Sequence, residues 1–197
     1  MSESLLHQAR AGDEAARGRL LELYRNYLRF MARALISQPL QARLDASDVV
    51  QETFLKAYRE FTGFLGSSEP ELVAWLRQIL VRTVADQVKR HRARGRDYRR
   101  EEPLEAVLDR SSAVFQERLA ARLSSPSGHA IRREQAVVLA DALETLPPDY
   151  REVFVLRILE HVPIEEIAAR MNRSVNAVRK LWTRAMVALE KALENTS

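Results

Sequence analysis

The sequence of 197 residues contains no cysteine, which excludes disulfide bonds and metal sites built on thiolates. It also lacks any apolar run of about eighteen residues, the length that suggests a membrane-spanning helix. The N-terminal stretch MSESLLHQARAGDEAARG carries acidic residues and no long apolar segment, unlike a secretory signal peptide. We therefore expect a cytoplasmic protein with no membrane insertion.

Glycine and proline are scarce, at 6 and 7 residues, and almost no stretch alternates between apolar and polar residues. This pattern favours helices over strands. Hydrophobic residues make up 46% of the chain and charged residues 29%, as in ordinary soluble globular proteins. The length allows one large domain or two small ones. We predict an all-α fold of two small helical domains joined by a flexible linker.

The N-terminal part reads as a series of helices. A short first helix stops at Gly12, and Asp13 is placed to cap a second helix that runs to about Ile36. A third helix is predicted over Asp45–Phe61, and a long fourth helix begins near Pro70, a favourable first-turn position.

Periodicity weakens after Glu101, and the stretch RLSSPSGHAIRRE has the composition of a linker. We place the first domain at residues 1–100, the linker at 101–133 and the second domain at 134–197. The second domain contains the predicted helices EQAVVLADALETL, PPDYREVFVLRILEH, PIEEIAARM and SVNAVRKLWTRAMVALEKAL. Ser174 is a good N-cap for the last of them.

Basic residues are concentrated between Arg82 and Arg100, where eight of them face two acids and give a local net charge of +6. Such a segment can hold a polyanion through counterion release. A solvated basic surface has the same composition. Charge alone therefore leaves nucleic-acid binding open.

The predicted third helix, DASDVVQETFLKAYREF, has two unlike faces. Val50, Phe54, Ala57 and Phe61 fall on one side and form an ordinary core-facing stripe. The opposite face is polar but has a leucine at its centre, which indicates a docking surface, although simple solvation is the common alternative. This face consists of Asp48, Gln51, Glu52, Leu55 and Arg59.

The helix from Glu71 to Arg90 also has two sides. Its predicted buried side consists of Leu72, Leu76, Ile79, Leu80, Thr83 and Val84. Its opposite side carries Trp75, Gln78, Arg82 and Lys89. A tryptophan beside arginine and glutamine can stack on an unpaired base while the cations follow the backbone. A lone tryptophan is more often part of the core.

The C-terminal stretch IEEIAARMNRSVNAVRKLWTRA combines a short helix, a tight turn and a longer helix, as in a helix-turn-helix. The apolar positions of its two helices would pack together; they are Ile164, Ile167, Ala168, Met171, Val178, Leu181, Trp182, Ala185 and Leu189. The outward positions at the start of the second helix can bond phosphates and read base edges. They include Arg173, Ser174, Asn176, Arg179, Lys180 and Arg184. The alternative is an ordinary helical hairpin with a charged outer face.

In order and spacing, three segments resemble the extracytoplasmic-function group of bacterial sigma factors, the smallest of the sigma-70 family. DASDVVQETFLKAYREF is similar to region 2.2, AWLRQILVRTVADQVKRHR to regions 2.3 and 2.4, and LPPDYREVFVLRILEHVPIEEIAARMNRSVNAVRKLWTRA to region 4. The lack of a further domain between them also fits this group, which has no region 3.

The resemblance implies partners for each surface. Region 2.2 would dock on the clamp helices of the RNA polymerase beta-prime subunit through Asp48, Gln51, Glu52 and Leu55. Region 2.4 would recognise and open the -10 promoter element through Trp75, Gln78, Arg82 and Lys89, with the loop from Phe64 to Pro70 bordering the pocket for a flipped base. Region 4 would read the -35 element through Arg173, Ser174, Asn176, Arg179, Lys180 and Arg184, and its apolar outer surface would bind the beta flap.

The resemblance further implies a sigma factor that is monomeric in the holoenzyme, needs no cofactor and performs no catalysis, with an anti-sigma factor as an additional partner. Many relatives carry arginine where this chain has Leu181 and Met186, so their -35 preference does not transfer. The main alternatives are a helix-turn-helix regulator that binds duplex DNA without polymerase, an adaptor protein and an enzyme. The scattered positions of the histidines argue against a catalytic or metal site.

Overall fold

The structure is a computed structural model that describes residues 2–36, 44–93 and 129–195. The regular secondary structure of these residues is helical, with no strand among them. The chain divides into two compact units, Met1–Ser112 and Ala113–Ser197. The predicted all-α fold with two small helical domains is confirmed.

The predicted domain limits remain a prediction. Residues 101–128 of the predicted linker lie outside the described residues, as does the basic run over 94–100. Residues 129–133, which we assigned to the linker, are helical, so the first helix of the second unit begins earlier than predicted.

The first unit contains a series of α-helices and one short 3-10 turn. They are α1 (Ser2–Arg10), α2 (Glu14–Glu22), α3 (Arg25–Leu35), α4 (Ala46–Glu60), the 3-10 turn Phe61–Gly63 and α5 (Glu69–Ala93). The predicted turn after α1 is present: Gly12 has a φ of +99°, which glycine adopts at little cost. Asp13 caps α2 as predicted, since its Oδ1 accepts a hydrogen bond from the Ala16 N–H at 2.9 Å.

The single long helix predicted between Asp13 and Ile36 is wrong. The chain forms α2 and α3 instead, separated at Leu23 and Tyr24, where the Tyr24 N–H bonds the Leu21 carbonyl in a tighter turn at 3.0 Å. Tyr24 is buried at this point. No glycine or proline marks the break, so tertiary packing rather than local sequence decides where the helix is interrupted.

Helices α3, α4 and α5 pack against one another and form most of the core of the first unit. The predicted buried side of α5 is confirmed at all six positions, Leu72, Leu76, Ile79, Leu80, Thr83 and Val84. Thr83 is the polar member of this set and its hydroxyl has no hydrogen-bond partner among the described residues.

The buried face of α4 differs in part from the predicted stripe. Val50 and Ala57 are buried as expected, but Phe54 is only half-buried. Val49 and Thr53 are buried instead, and the Thr53 hydroxyl donates a hydrogen bond to the Val49 carbonyl at 2.8 Å. The buried arc is turned towards Val49 because α4 packs against both α3 and α5, which a projection of the isolated helix cannot show.

The second unit consists of α6 (His129–Thr145), α7 (Pro148–Phe154), one π-helical turn (Val155–Leu159), α8 (Ile164–Arg170) and α9 (Val175–Glu194). Arg151 fixes the end of α6 to α7. Its guanidinium pairs with Glu144 at 2.7 Å and donates to the carbonyls of Glu144 and Leu146 at 3.0 and 3.1 Å. Basic groups at a helix C-terminus satisfy its unpaired carbonyls.

Helices α8 and α9 form the predicted helix-turn-helix. Asn172 takes a positive φ of 50°, and the Arg173 N–H bonds the Ala168 carbonyl at 2.9 Å, which closes the end of α8. Ser174 then caps α9 as predicted, with its Oγ accepting from the Ala177 N–H at 3.2 Å. The core beneath the turn includes Ile167, Ala168, Val178, Leu181 and Ala185.

Candidate functional site

The outer face of α4 is exposed at three of its four predicted docking residues. Asp48, Gln51 and Leu55 lie on this face, and Leu55 is 52% exposed. A single exposed leucine between polar neighbours fits a docking surface but is also common on an ordinary solvated face. The structure therefore brings these three residues together as predicted.

Glu52, the fourth predicted docking residue, lies at the edge of this face and has partners within the unit. Its Oε1 lies 2.7 Å from Arg90 Nη2 and 3.5 Å from Lys56 Nζ, and its Oε2 accepts a hydrogen bond from the Gln87 side chain. Lys56 also pairs with Asp86 at 3.0 Å. We call these five residues the α4–α5 charge network, because they link the two helices.

The charge network affects the ionisation of both its carboxylates. Partial burial raises the pKa of Glu52, but the hydrogen bond and positive charge of Arg90, together with Lys56 and Gln87, outweigh it and leave the pKa lowered. The hydrogen bond from Lys56 lowers the pKa of Asp86. Both groups are therefore charged at neutral pH, so the network is intact there.

The polar side of α5 is exposed at Gln78, Arg82 and Lys89, as predicted. Trp75 is half-buried in an aromatic cluster, between the exposed position on the polar side and the core position that a lone tryptophan more often takes. Its ring lies 5.9 Å from that of Phe61, edge to face, and 5.1 Å from that of Phe64. The ring is thus fixed by neighbours, and only part of it remains accessible.

Sequence reasoning missed Arg17, which is buried beside this cluster. Its guanidinium carbon lies 5.0 Å from the ring centroid of Tyr58 and 5.2 Å from that of Phe61. Its Nη1 donates to the Tyr58 carbonyl at 3.4 Å. No local signal marks this residue, because an arginine in a short helix is ordinarily exposed.

The exposed side of α9 carries the predicted DNA-reading residues Arg173, Ser174, Asn176, Arg179, Lys180 and Arg184, all exposed. Arg173 differs from the other cations because it forms an ion pair with Asp149 at the start of α7. Within the described ranges, the side chains of Arg179, Lys180 and Arg184 form no ion pair. These three charges are available to an anionic partner.

The described residues contain no group of three or more histidine, aspartate or glutamate side chains that could hold a metal ion. None of their helices is both long and apolar enough to span a bilayer.

Comparisons with known proteins agree with this arrangement. The family model for Sigma-70 region 2 matches residues 20–94, and the model for Sigma-70, region 4 matches residues 136–189. The chain is 30% identical to the RNA polymerase sigma-H factor of Pseudomonas aeruginosa, over 98% of this chain and 93% of that protein. It is 31% identical to the ECF RNA polymerase sigma factor SigD of Mycobacterium tuberculosis, over 95% of this chain and 82% of the relative.

Among solved structures, a complex of CnrH with the cytosolic domain of CnrY matches all of this chain and 99% of the matched chain, with 26% sequence identity and a TM-score of 0.36. A complex of RsbN with BldN matches 94% of this chain and 97% of the other, with 23% identity and a TM-score of 0.32.

Proposed function

The chain belongs to the sigma-70 family of RNA polymerase sigma factors, in the extracytoplasmic-function group, and from this premise we propose a role for each of its surfaces. As a member of that family it is a DNA-binding initiation factor that recognises promoters and directs RNA polymerase to them. The proposal concerns which residues carry each step, and no covalent step is assigned to them.

The outer face of α4 binds core polymerase through Asp48, Gln51 and Leu55, on the clamp helices of the beta-prime subunit. The exposed leucine supplies apolar contact, and the flanking polar groups give orientation. Glu52 contributes from the edge of the face, with one oxygen already bonded to Arg90. Polymerase therefore competes with Arg90 for this carboxylate when it docks.

Helix α5 contacts the -10 element through Gln78, Arg82 and Lys89, with Trp75 at the border. The exposed cations follow the backbone of the displaced strand, and the accessible part of Trp75 contacts an unpaired base. Base stacking on aromatic side chains contributes about 1–3 kcal/mol per base, comparable to the few kcal/mol needed to unstack one step. Opening therefore needs several such contacts rather than one.

The exposed side of α9 reads the -35 element. The observation that carries this proposal is the group of exposed cations Arg179, Lys180 and Arg184, which lack ion pairs in the described part of the chain. Ser174, Asn176 and Arg173 complete the surface. Unpaired cations at the leading part of a helix-turn-helix can bind phosphates or base edges without first breaking an internal bond.

Neither unit is expected to bind its promoter element tightly alone, because tethering on the polymerase supplies the effective concentration. The chain works as a monomer in the holoenzyme, in the cytoplasm and without a cofactor, with its second unit also touching the beta flap. We include an anti-sigma factor among its partners; its binding would block one of these surfaces.

Run-off transcription with added core polymerase over a promoter library tests the proposal. The expected result is transcripts from a subset of promoters that share -10 and -35 elements, only when both proteins are present. The absence of any complex with core polymerase at low salt would refute it. Sequence-specific duplex binding by the chain alone, without a need for polymerase, would instead favour a conventional regulator.

A further inference from the structure

One carboxylate holds the segment Phe64–Ser68, which connects the 3-10 turn to α5. Oε2 of Glu71 accepts hydrogen bonds from the Ser67 N–H at 2.9 Å, the Ser68 N–H at 3.0 Å and the Ser68 hydroxyl at 2.7 Å. A serine at the helix start paired with a glutamate three residues later is a capping-box sequence. Here Glu71 also accepts a hydrogen bond from Ser67, the residue before the cap, so it fixes the segment as well as the start of the helix.

Gly66 brings the same segment close to its neighbours. A Cβ atom at this position would lie 2.7 Å from Phe64 Cε2 and 2.9 Å from Glu71 Cβ, closer than real Cβ contacts allow. Gly63, three residues earlier, has nothing within 4 Å of the same hypothetical atom. The backbone at Gly66 therefore lies against Phe64 and Glu71, whereas Gly63 is under no such constraint.

The fixed segment presents an exposed leucine beside the aromatic cluster. Phe64 is buried with its ring 5.1 Å from that of Trp75, while the next residue, Leu65, is 87% exposed. Leu65 lies between Phe64 and Gly66, both of which are packed. A contact surface that is already ordered loses little conformational entropy when a partner binds.

We propose that Glu71 and Gly66 are positioning residues for promoter opening, which hold Phe64–Ser68 in the conformation that contacts unpaired -10 DNA. The inference rests on the proposed function of this unit. It goes beyond that function by assigning a role to residues that act on the segment, not on the DNA. When the competent conformation is only a tenth populated, apparent affinity falls about tenfold.

The first test measures the order of the segment in the free, full-length chain. Trp182→Phe leaves Trp75 as the single tryptophan, and acrylamide quenching of its fluorescence then reports on the cluster. Glu71→Ala and Gly66→Ala are expected to increase quenching, and Glu71→Gln to have an intermediate effect because its amide oxygen still accepts hydrogen bonds. Glu60→Ala and Gly63→Ala are the matched controls and should have no effect.

The pH dependence of Trp75 quenching tests whether the Glu71 carboxylate fixes the segment. The Ser68 hydroxyl, followed by the N–H groups of Ser67 and Ser68, lowers the pKa of Glu71 below its ordinary value of 4.5. The hold is therefore complete above that ordinary value and is lost as the pH falls through the lowered pKa. Trp75 quenching in the otherwise unchanged chain should rise over this range, relative to the Glu71→Gln variant, which cannot titrate there.

The second test uses holoenzyme and a promoter with 2-aminopurine in the -10 element, whose fluorescence rises on unpairing. Glu71→Ala and Gly66→Ala should reduce open-complex formation about tenfold, with binding to core polymerase unchanged and both variants still folded at the assay temperature. Opening equal to that of the unchanged chain would overturn the inference. Loss of core binding would also overturn it, since the segment would then serve the fold or the polymerase contact.

These outcomes are separable from failure of the proposed function. If the unchanged chain forms no holoenzyme or opens no promoter, the proposed function fails and the inference fails with it. If the unchanged chain opens the promoter and the two variants do so equally well, only the inference fails.

Discussion

The proposed DNA-binding surface on α9 and the proposed polymerase-binding face of α4 differ in how their charges are arranged before any partner binds. On α9, the cations Arg179 and Lys180 are exposed and form no ion pair with other described residues. On the first unit, Glu52 and Arg90 are bonded to each other across α4 and α5. The α9 surface can therefore bind phosphates directly, whereas Glu52 at the edge of the α4 face must exchange an internal bond for an external one.

This difference indicates that the charges of α9 serve binding affinity, whereas those between α4 and α5 serve the positions of the two helices. Exposed ion pairs contribute only about 0–1 kcal/mol to folding. Asp86 and Arg90 of the α4–α5 charge network are exposed, and Glu52 and Lys56 are half-buried, so we infer that the network acts mainly on the positions of the two helices. The free cations of α9 contribute electrostatic attraction that weakens with salt. We infer that the second unit supplies adaptable binding to duplex DNA, and that the first unit supplies a fixed arrangement for polymerase and the opened strand.

The largest expected effect comes from removing the free cations. The double variant Arg179→Ala, Lys180→Ala should lower -35-dependent transcription by the holoenzyme. If both residues read bases, at about 1–3 kcal/mol each, the loss should correspond to about 2–6 kcal/mol. If both contact phosphates, the slope of log affinity against log salt should fall by about 2. Run-off transcription and a salt titration of promoter binding measure the two cases.

Lys191→Ala is the control for this double variant, because Lys191 is an exposed lysine further along α9. It should leave transcription unchanged. If removing Arg179 and Lys180 has no more effect than this control, the second unit is an adaptor surface and the comparison between the two units no longer holds.

A smaller effect is expected on polymerase binding when the α4 face is changed. Asp48→Lys reverses the charge of an exposed residue that no ion pair holds within the described residues. We expect its affinity for core polymerase to fall about tenfold, or about 1.4 kcal/mol, with the fold unchanged. Fluorescence anisotropy of labelled protein against core polymerase measures this, and Arg59→Ala on the same face is a milder comparison.

Glu52 requires a different experiment, because its carboxylate is already bonded. Glu52→Arg should weaken polymerase binding, and the exchange Glu52→Arg with Arg90→Glu distinguishes the reason. If Glu52 acts by holding α4 against α5, the exchange restores binding. If it contacts polymerase directly, binding stays weak in the exchanged variant, and the polar face then includes all four predicted residues.

Features that depend on residues close together in the chain could be predicted from the sequence. Ser174 caps the helix that starts beside it, and Asp13 does the same for α2. The cap, the turn at Asn172 and the exposed cations of α9 depend on residues a few positions apart. Local physics determines such features, so the helix-turn-helix was predicted almost completely.

The missed features depend on residues distant in sequence. Arg90 is 38 positions from Glu52, and Arg17 is 41 positions from the Tyr58 carbonyl that it contacts. Whether a charged side chain is exposed or paired depends on which helices meet, and a helical projection cannot show that. Trp75 illustrates the same limit, because its half-burial depends on Phe61 and Phe64 folding back over α5.

The start of α5 combines a local feature, the capping pair Ser68 and Glu71, with a packing contact that the sequence does not show. The letters SEPE contain both Ser68 and Glu71 at capping-box spacing. The sequence contains the signal for this pair, whereas the prediction for the loop from Phe64 to Pro70 concerns only its place beside the pocket for a flipped base. The packing of Gly66 against Phe64 carries no comparable local signal.

A modest effect is expected from Asp149→Asn, which makes Arg173 resemble the other α9 cations. Asp149 pairs with Arg173 through an exposed contact. Releasing this cation and removing a nearby negative charge should strengthen binding to a -35 duplex by holoenzyme by up to about 1 kcal/mol, with a steeper salt dependence. Weaker binding would instead show that Asp149 holds Arg173 in its reading position.

The last effect concerns the turn that orients α9, and it should appear in stability with little change in DNA binding. Asn172 has a φ of 50°, which asparagine tolerates, glycine adopts freely and alanine disfavours by about 1–2 kcal/mol. Asn172→Ala should therefore lower the free energy of unfolding of the second unit by about 1 kcal/mol, whereas Asn172→Gly should change it little. Urea unfolding followed by Trp182 fluorescence, in a full-length chain carrying Trp75→Phe, measures both variants. Asn176→Ala, the same replacement within α9, should not destabilise the unit, and equal losses at both positions would show that the backbone conformation at Asn172 is not the cause.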